Sequence, residues 1–311
     1  MVRGGTTRST PDRRSPSRRV RLLFIALSMA LGLGVLGAAE LGFRLAGYGG
    51  HAPVFTDAGE LPGGGRLIFS SVAGSAAFFD TRRSAAGALD PVAFEMPKPQ
   101  RVFRVMVIGE SAAKGIPSPR PLAWSSILRE MLGDLMPERE VEVLNIAVTA
   151  IAAFPASDIL RQSLAQDPDL LVIWVGNNEF YGAYGVASLH SAGRTPRMMS
   201  LIHWARGLGV AQWMEGLGAR RARPAGETLM EAMIGRSFIA PDDPLRTRAA
   251  ENLRILIGGM ARRCVARGVP VVVCLPPVNE RDLAPLGVSD VSRLDAGARR
   301  DVERSVGNSL L

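Results

Sequence analysis

The stretch Arg101–Gly115, RVFRVMVIGESAAKG, decides the reading of this chain. Its first eight residues, RVFRVMVI, are a short β-branched run that stops at Gly109, the pattern of a buried strand running into a turn. A phosphate-binding loop needs Gly-Lys-Ser/Thr in that order, whereas here Lys114 precedes Gly115, which argues against a nucleotide. A nucleophile elbow needs a glycine two residues after the serine, and that place holds Ala113. What is left is Gly109-Glu110-Ser111, a serine set directly after a strand.

Working outward, the same texture recurs. Val141–Leu144, Leu170–Val175 (LLVIWV) and Val269–Leu275 (VPVVVCL) read as further strands. Between them, Ala123–Leu135 (with Trp124, Ile127, Leu128, Met131 and Leu135 at helical spacing), Ser157–Ala165 and Ala249–Ala266 read as helices. Strands apolar on both faces and alternating with helices imply an α/β fold with a parallel sheet covered on two sides. In such sheets functional residues gather beyond the carboxyl ends of the strands, where Ser111, Asn145, Asn178 and Pro276–Arg281 all fall. A long stretch from Ala183 to about Ile239 is expected to be irregular or partly helical. Residues 46–100, rich in Gly, Ala, Pro and Ser, read as a juxtamembrane stalk with one short strand around Leu67–Phe69.

The N-terminus reads differently. The formal net charge of +8 is concentrated in seven arginines before Leu22 (Arg3, Arg8, Arg13, Arg14, Arg18, Arg19 and Arg21), opposed by Asp12 alone. An uncharged run, LLFIALSMALGLGVLGAA, follows from Leu22 to Ala39 and would span about 27 Å as a helix, close to the roughly 30 Å hydrocarbon core. A basic block beside an apolar run suits an anionic membrane surface rather than nucleic acid, and the positive-inside rule puts residues 1–21 in the cytoplasm and the rest across the membrane. The expectation is a signal anchor over 22–45. Gly37-Ala38-Ala39 keeps a cleaved signal peptide open, Arg18-Arg19 faintly resembles a twin-arginine export signal, and the plain structural alternative is a buried core helix. Cys264 and Cys274 follow no metal-ligand pattern and are expected on a helix and a strand as small buried hydrophobes. No metal and no cofactor is expected.

Gly109-Glu110-Ser111 after the first strand resembles the first block of the SGNH/GDSL hydrolases. Gly176-Asn177-Asn178-Glu179 is similar to that family's Gly-x-Asn-Asp block, with Glu in the last place, and Asn145–Ala150 stands where its glycine block lies. The segments Pro97–Gly115, Asp167–Gly182 and Asn279–Pro285 together resemble a membrane-anchored bacterial subset, over roughly residues 97–290. The resemblance implies a three-layer sandwich around a flavodoxin-like parallel sheet, with a hydrolase-like domain over 101–311. It implies Ser111 as nucleophile, with its own N–H, the Asn178 amide and a backbone N–H at Ala150 (or Ala147) as oxyanion donors, in the manner of preorganised oxyanion holes. Alanine at that last position keeps the N–H but lacks glycine's freedom to take positive φ. Gly109, Glu110, Asn145, Gly176, Asn177 and Glu179 are the expected substrate-binding surround.

The family's base is a histidine in a C-terminal Asp-x-x-His block, which the printed sequence lacks; its three histidines are His51, His190 and His203. The expectation is therefore a chain that has lost this segment. Simpler roles exist for each residue: Ser111 as a helix cap, Asn178 and Glu179 as a turn, Trp174 as core, Lys114 as a solvated charge, and His190 and His203 as surface or packing residues. The expected partners are an ester-bearing or acylated substrate and the membrane. The competing activities are ester hydrolysis, O-acyl transfer to a cell-envelope polysaccharide, and non-catalytic binding.

Overall fold

The computed structural model describes residues 17–79, 86–189, 191, 195–217, 229, 233–235, 239–240 and 242–276. Residues 1–16, His190, the Asn279–Pro285 segment and everything after 276 lie outside them. The chain divides into two compact units, one of Met1–Gly50 with Gly207–Leu217, the other of His51–Arg206 with Gly218–Leu311.

In the first unit, α1 (Arg18–Leu45) is a 28-residue helix with none of its residues buried. Its mean hydropathy reaches 2.3 over an 18-residue window, so it is long and apolar enough to cross a membrane. It starts four residues before the apolar run, because the Ser17 side chain accepts from the N–H of Val20 and caps it. α7 (Gly209–Leu217) completes this unit.

The second unit is built on a parallel sheet of β4 (Val102–Gly109), β5 (Glu140–Asn145), β6 (Leu170–Trp174) and β7 (Val271–Cys274), in the order β5-β4-β6-β7. The chain thus steps from β4 to one side to make β5 and then to the other side to make β6. That reversal is the flavodoxin-like arrangement, and it opens a crevice beyond the carboxyl ends of β4 and β6. β4 is buried along all its length except half-buried Phe103. Met106 and Ile108 pack on one face against α5 (Ala153–Ser163) and α8 (Pro244–Ala266), while Val105 and Val107 pack on the other against Trp124 and Leu132 of α4 (Trp124–Leu135). Helices on both faces complete the expected α/β sandwich. Cys264 is buried in α8 and Cys274 half-buried in β7, both as free thiols.

Residues 51–96 hold more structure than the short strand expected there. They form an antiparallel sheet of β1 (Phe55–Glu60), β2 (Arg66–Ser70) and β3 (Ala93–Met96), with α2 (Val72–Ala76) between β2 and β3. Val54, Phe78, Phe79, Leu89 and Phe94 from this segment enter the same core as Met106 and Ile108. The Gly/Ala/Ser texture hid this because the apolar residues are few and far apart, though each is large and nearly all buried.

Arg104 joins the two sheets. Its side chain is fully buried in β4, yet Nε donates to Glu142 at 2.8 Å, Nη1 to the Gln166 carbonyl at 2.8 Å and Nη2 to the Glu95 carbonyl at 2.9 Å. The guanidinium also sits 4.6 Å from the centre of the Phe94 ring. A buried cation is tolerated when its donors are all engaged. Replacing Arg104 by Ala removes it and strands Glu142 with two carbonyls. Arg104→Ala is expected to cost about 3–5 kcal/mol, read as a lowered unfolding midpoint by circular dichroism, with Arg104→Lys intermediate because an ammonium cannot reproduce the fork.

Candidate functional site

The crevice at the ends of β4 and β6 is assembled around a carboxylate. β4 ends at Gly109, where an added Cβ would lie 2.1 Å from the Trp174 carbonyl oxygen and 2.5 Å from Ala113 Cβ. Glycine is required there so that the turn can hug β6. Glu110 follows, extended and 1% exposed, and its Oε1 accepts the N–H of Gly176 at 2.9 Å while Oε2 accepts the N–H of Asn177 at 3.0 Å. The N–H of Asn178 also bears on this carboxylate. Gly176 adopts φ +126°, a conformation open to glycine, so its amide can turn back toward Glu110. Glu110 is therefore a clamp between the loops that carry Ser111 and Asn178.

Ser111 opens the short helix α3 (Ser111–Lys114), which Gly115 closes at φ +99°. The helix is braced from below by Asn145 at the end of β5. Asn145 Nδ2 donates to the Ala113 carbonyl at 2.9 Å and to Ser125 Oγ at 3.0 Å, and Oδ1 accepts the N–H of Ala147 at 3.1 Å. Its amide is thus engaged within the protein, in a positioning role. Lys114, read from sequence as solvated, is instead held by Asp90 at 2.8 Å and reaches the Ala88 carbonyl at 3.2 Å, which ties α3 to the segment before β3.

The third loop is pinned from two sides. Val148 donates to the Gly109 carbonyl at 3.0 Å, and Thr149 pairs with Ala88 through both its backbone and its hydroxyl. Ala150 then takes φ +60°, the left-handed conformation in which glycine would be usual. It is held there by Ala183, which donates to the Ala150 carbonyl at 2.8 Å while Ala152 donates to the Ala183 carbonyl at 3.1 Å. Of the two alanines considered for a backbone donor, Ala147 has its N–H engaged by Asn145, whereas Ala150 has the glycine-like geometry.

The Asn178 loop closes against this segment. Gly182 donates to the Asn178 carbonyl at 2.8 Å, and a Cβ on Gly182 would sit 2.8 Å from Asn178 Cβ and 2.7 Å from the Ile151 carbonyl carbon. The sequence signal for Gly182 is a glycine in the turn that follows the third strand. Glu179 is 7% exposed and accepts the N–H of Ala153 at 2.8 Å, capping α5 in place of Ala152, which has no side-chain acceptor.

Hydrogen-bond donors remain after these ties, the buried Nε1 of Trp174 at the end of β6 among them. Among the described residues nothing accepts from the backbone N–H of Ser111 or Ala150, and Asn178 Nδ2 is buried without a partner. Unsatisfied buried donors are rare and call for a ligand or a reason. Donors on the three loops around one crevice are suited to an oxygen that carries negative charge. No histidine is placed to serve Ser111 among the described residues. His51 and His203 stack on each other at 4.0 Å, His51 Nε2 donates to the His203 carbonyl at 2.8 Å, and the Tyr184 hydroxyl lies 2.8 Å from His203 Nδ1. Burial first, and the neighbouring His51 second, push His203 down to about 4, so it is a neutral packing group. No cluster of metal-ligating side chains occurs among the described residues.

No family model matches the chain, and no curated protein matches it. Among solved structures it is similar to the crystal structure of TesA, at 17% identity and a TM-score of 0.29, over 67% of this chain and 97% of that chain. A likeness this slight does not bear on function.

The clamp makes stability depend on pH. Burial, as the largest cause, raises Glu110 to about 8 against the pull of its amide donors, with Glu179 nearby adding to the rise, and burial raises Glu179 to about 7. A carboxyl whose folded value is raised binds more protons folded than unfolded, so stability falls as pH climbs from the ordinary carboxylate value toward the raised one. The unfolding midpoint is expected to decline between about pH 5 and 8, and Glu110→Gln to make that decline shallower while lowering the midpoint at pH 5. A decline of unchanged steepness in the variant would assign it elsewhere.

Proposed function

We propose that this chain is a membrane-anchored serine hydrolase of the SGNH/GDSL type that acts on ester bonds of an extracytoplasmic substrate. The observation that carries the reading is the set of unengaged donors around Ser111: its own N–H, the N–H of Ala150 at φ +60° and the buried, unpartnered Nδ2 of Asn178. In this reading the Ser111 hydroxyl attacks an acyl carbonyl, and the carbonyl oxygen takes up the negative charge between those three donors. Each such donor is worth about 3–4 kcal/mol in comparable sites. Glu110, Asn145 and Gly176 keep the donors in place, and Asn177 and Glu179 lie on the loop that presents Asn178.

The anchoring half of the proposal rests on α1 and on the arginines that precede it. The orientation follows from the positive-inside rule, with the basic tail in the cytoplasm and the sheet on the far side of the cytoplasmic membrane. A second reading, an acyl-binding protein that uses the same donors without turnover, is favoured by one observation. The described histidines His51 and His203 are engaged with each other and with Tyr184, and a serine hydroxyl needs a base to become nucleophilic.

A fluorophosphonate probe separates the two. Covalent labelling that Ser111→Ala abolishes is expected for the hydrolase, together with a drop of about 10²–10³-fold in ester turnover for Asn178→Ala. Absence of labelling, with acyl-analogue binding that Asn178→Ala weakens, is the outcome for the binding protein. Labelling that persists in Ser111→Ala would refute the assignment of the nucleophile. For the anchor, the chain is expected to stay with the membrane fraction through alkaline carbonate extraction, and a version lacking residues 1–45 to be released.

A further inference from the structure

α7 belongs to the same unit as α1 and is fastened to its carboxyl end. Glu40 Oε2 accepts the N–H of Val210 at 3.3 Å, while Oε1 of the same carboxylate takes Arg44 Nε at 2.7 Å. Gln212 bridges from α7 to the residues just after α1, accepting the N–H of Gly49 at 2.8 Å and donating to the Gly50 carbonyl at 2.6 Å. Gly209 is buried, and a Cβ there would lie 2.7 Å from Phe43 Cβ, so the first turn of α7 lies directly against α1. The Phe43 ring is 5.3 Å from Trp213 and 6.1 Å from Tyr48.

The outer surface of α7 is apolar. Val210, Trp213, Met214 and Leu217 fall at i, i+3, i+4 and i+7 and form one stripe, with Gln212 and Glu215 away from it. Trp213, Met214 and Leu217 are 39%, 62% and 68% exposed. Leu41 and Leu45, near the end of α1 in the same unit, are also exposed, at 59% and 82%. Its depth is also fixed. If Leu22–Ala39 fills the hydrocarbon, the Glu40–Arg44 pair falls in the headgroup layer, and Glu40 and Phe43 are the residues that hold α7.

We infer that α7 is an interfacial helix, lying in the headgroup layer of the membrane that α1 enters, with its Val210–Trp213–Met214–Leu217 stripe turned into the lipid. The inference rests on α1 spanning the membrane. Tyr48 and Trp213 then form a local aromatic belt, since amphipathic rings favour the zone where one end is apolar and the other wet. An amphipathic helix of this kind adds a second membrane contact beside the span. It also fixes the rotation of the end of α1, because Phe43 and Glu40 must face α7.

The test reads lipid contact at Trp213 in the whole chain, reconstituted into phosphatidylcholine vesicles whose acyl chains carry bromine near the headgroup end. Bromine quenches a tryptophan that it touches. Trp213 is one of four tryptophans, so its share is the difference between the wild type and Trp213→Phe, which keeps an aromatic ring against Phe43. Vesicle flotation is recorded on the same samples. The expected result is co-flotation of both proteins, with quenching of the wild type that Trp213→Phe loses, and with Met214→Asp reducing the quenching of Trp213. Co-flotation with equal quenching in wild type and Trp213→Phe overturns the inference and leaves the anchor standing. A chain that fails to float overturns both. Trp213 shielded from bromine and from aqueous acrylamide alike would mean that a protein surface, such as a second copy, covers the stripe, and would also overturn the inference.

Discussion

The crevice depends on one buried carboxylate. Glu110 lies between the ends of β4 and β6 and collects backbone N–H groups from the loop after β6. Through it, the turn that carries Ser111 is tied to the loop that carries Asn178. A backbone amide has little freedom to choose its partner, so a side chain reaching across the gap is the direct way to register one loop against another. Burying that carboxylate is costly, and the raised proton affinity of Glu110 is the form in which the cost is visible. The site accepts a destabilising group in exchange for loop geometry.

The same logic extends outward. Asn145 holds the carbonyl end of α3, Glu179 ties the Asn178 loop to the start of α5, and Ala183 keeps Ala150 in a left-handed conformation. Each of these polar groups satisfies a backbone atom that the turn would otherwise leave open. Among the described residues, the N–H groups of Ser111 and Ala150 and the buried Nδ2 of Asn178 are left without an acceptor at this end of the sheet, as is the buried Nε1 of Trp174 at the end of β6. Under the proposed function, the donors of Ser111, Ala150 and Asn178 are the ones that meet an electron-rich oxygen.

Arg104 plays the corresponding part for the scaffold. By reaching from the central strand to the carbonyl of Glu95 in β3, it welds the small antiparallel sheet to the parallel one. The segment that carries β1–β3 thereby becomes part of the wall behind the site, and Ala88 and Asp90, just before β3, reach Thr149 and Lys114.

Much of this was legible in the residues themselves. The apolar runs at Val105–Ile108 and Leu170–Trp174 determine strands buried on both faces, and their alternation with helices determines a parallel sheet, because hydrophobic period and burial are local properties. The apolar run after the arginine block likewise determines a helix able to cross a membrane. The positions of Ser111 and Asn178 at strand ends were also readable. Tertiary structure alone decided the rest. The three strands within 51–96 depend on scattered aromatics that find one another only in the assembled core. The capture of Lys114 by Asp90 and the stacking of His51 on His203 join residues distant in sequence. Ala150 takes a conformation that its side chain disfavours, imposed by Ala183 more than thirty positions later. Glu110 reads in sequence as a polar neighbour of the serine; its work as a clamp exists only once β6 lies beside β4, because a carboxylate has no partner until the fold supplies the amides.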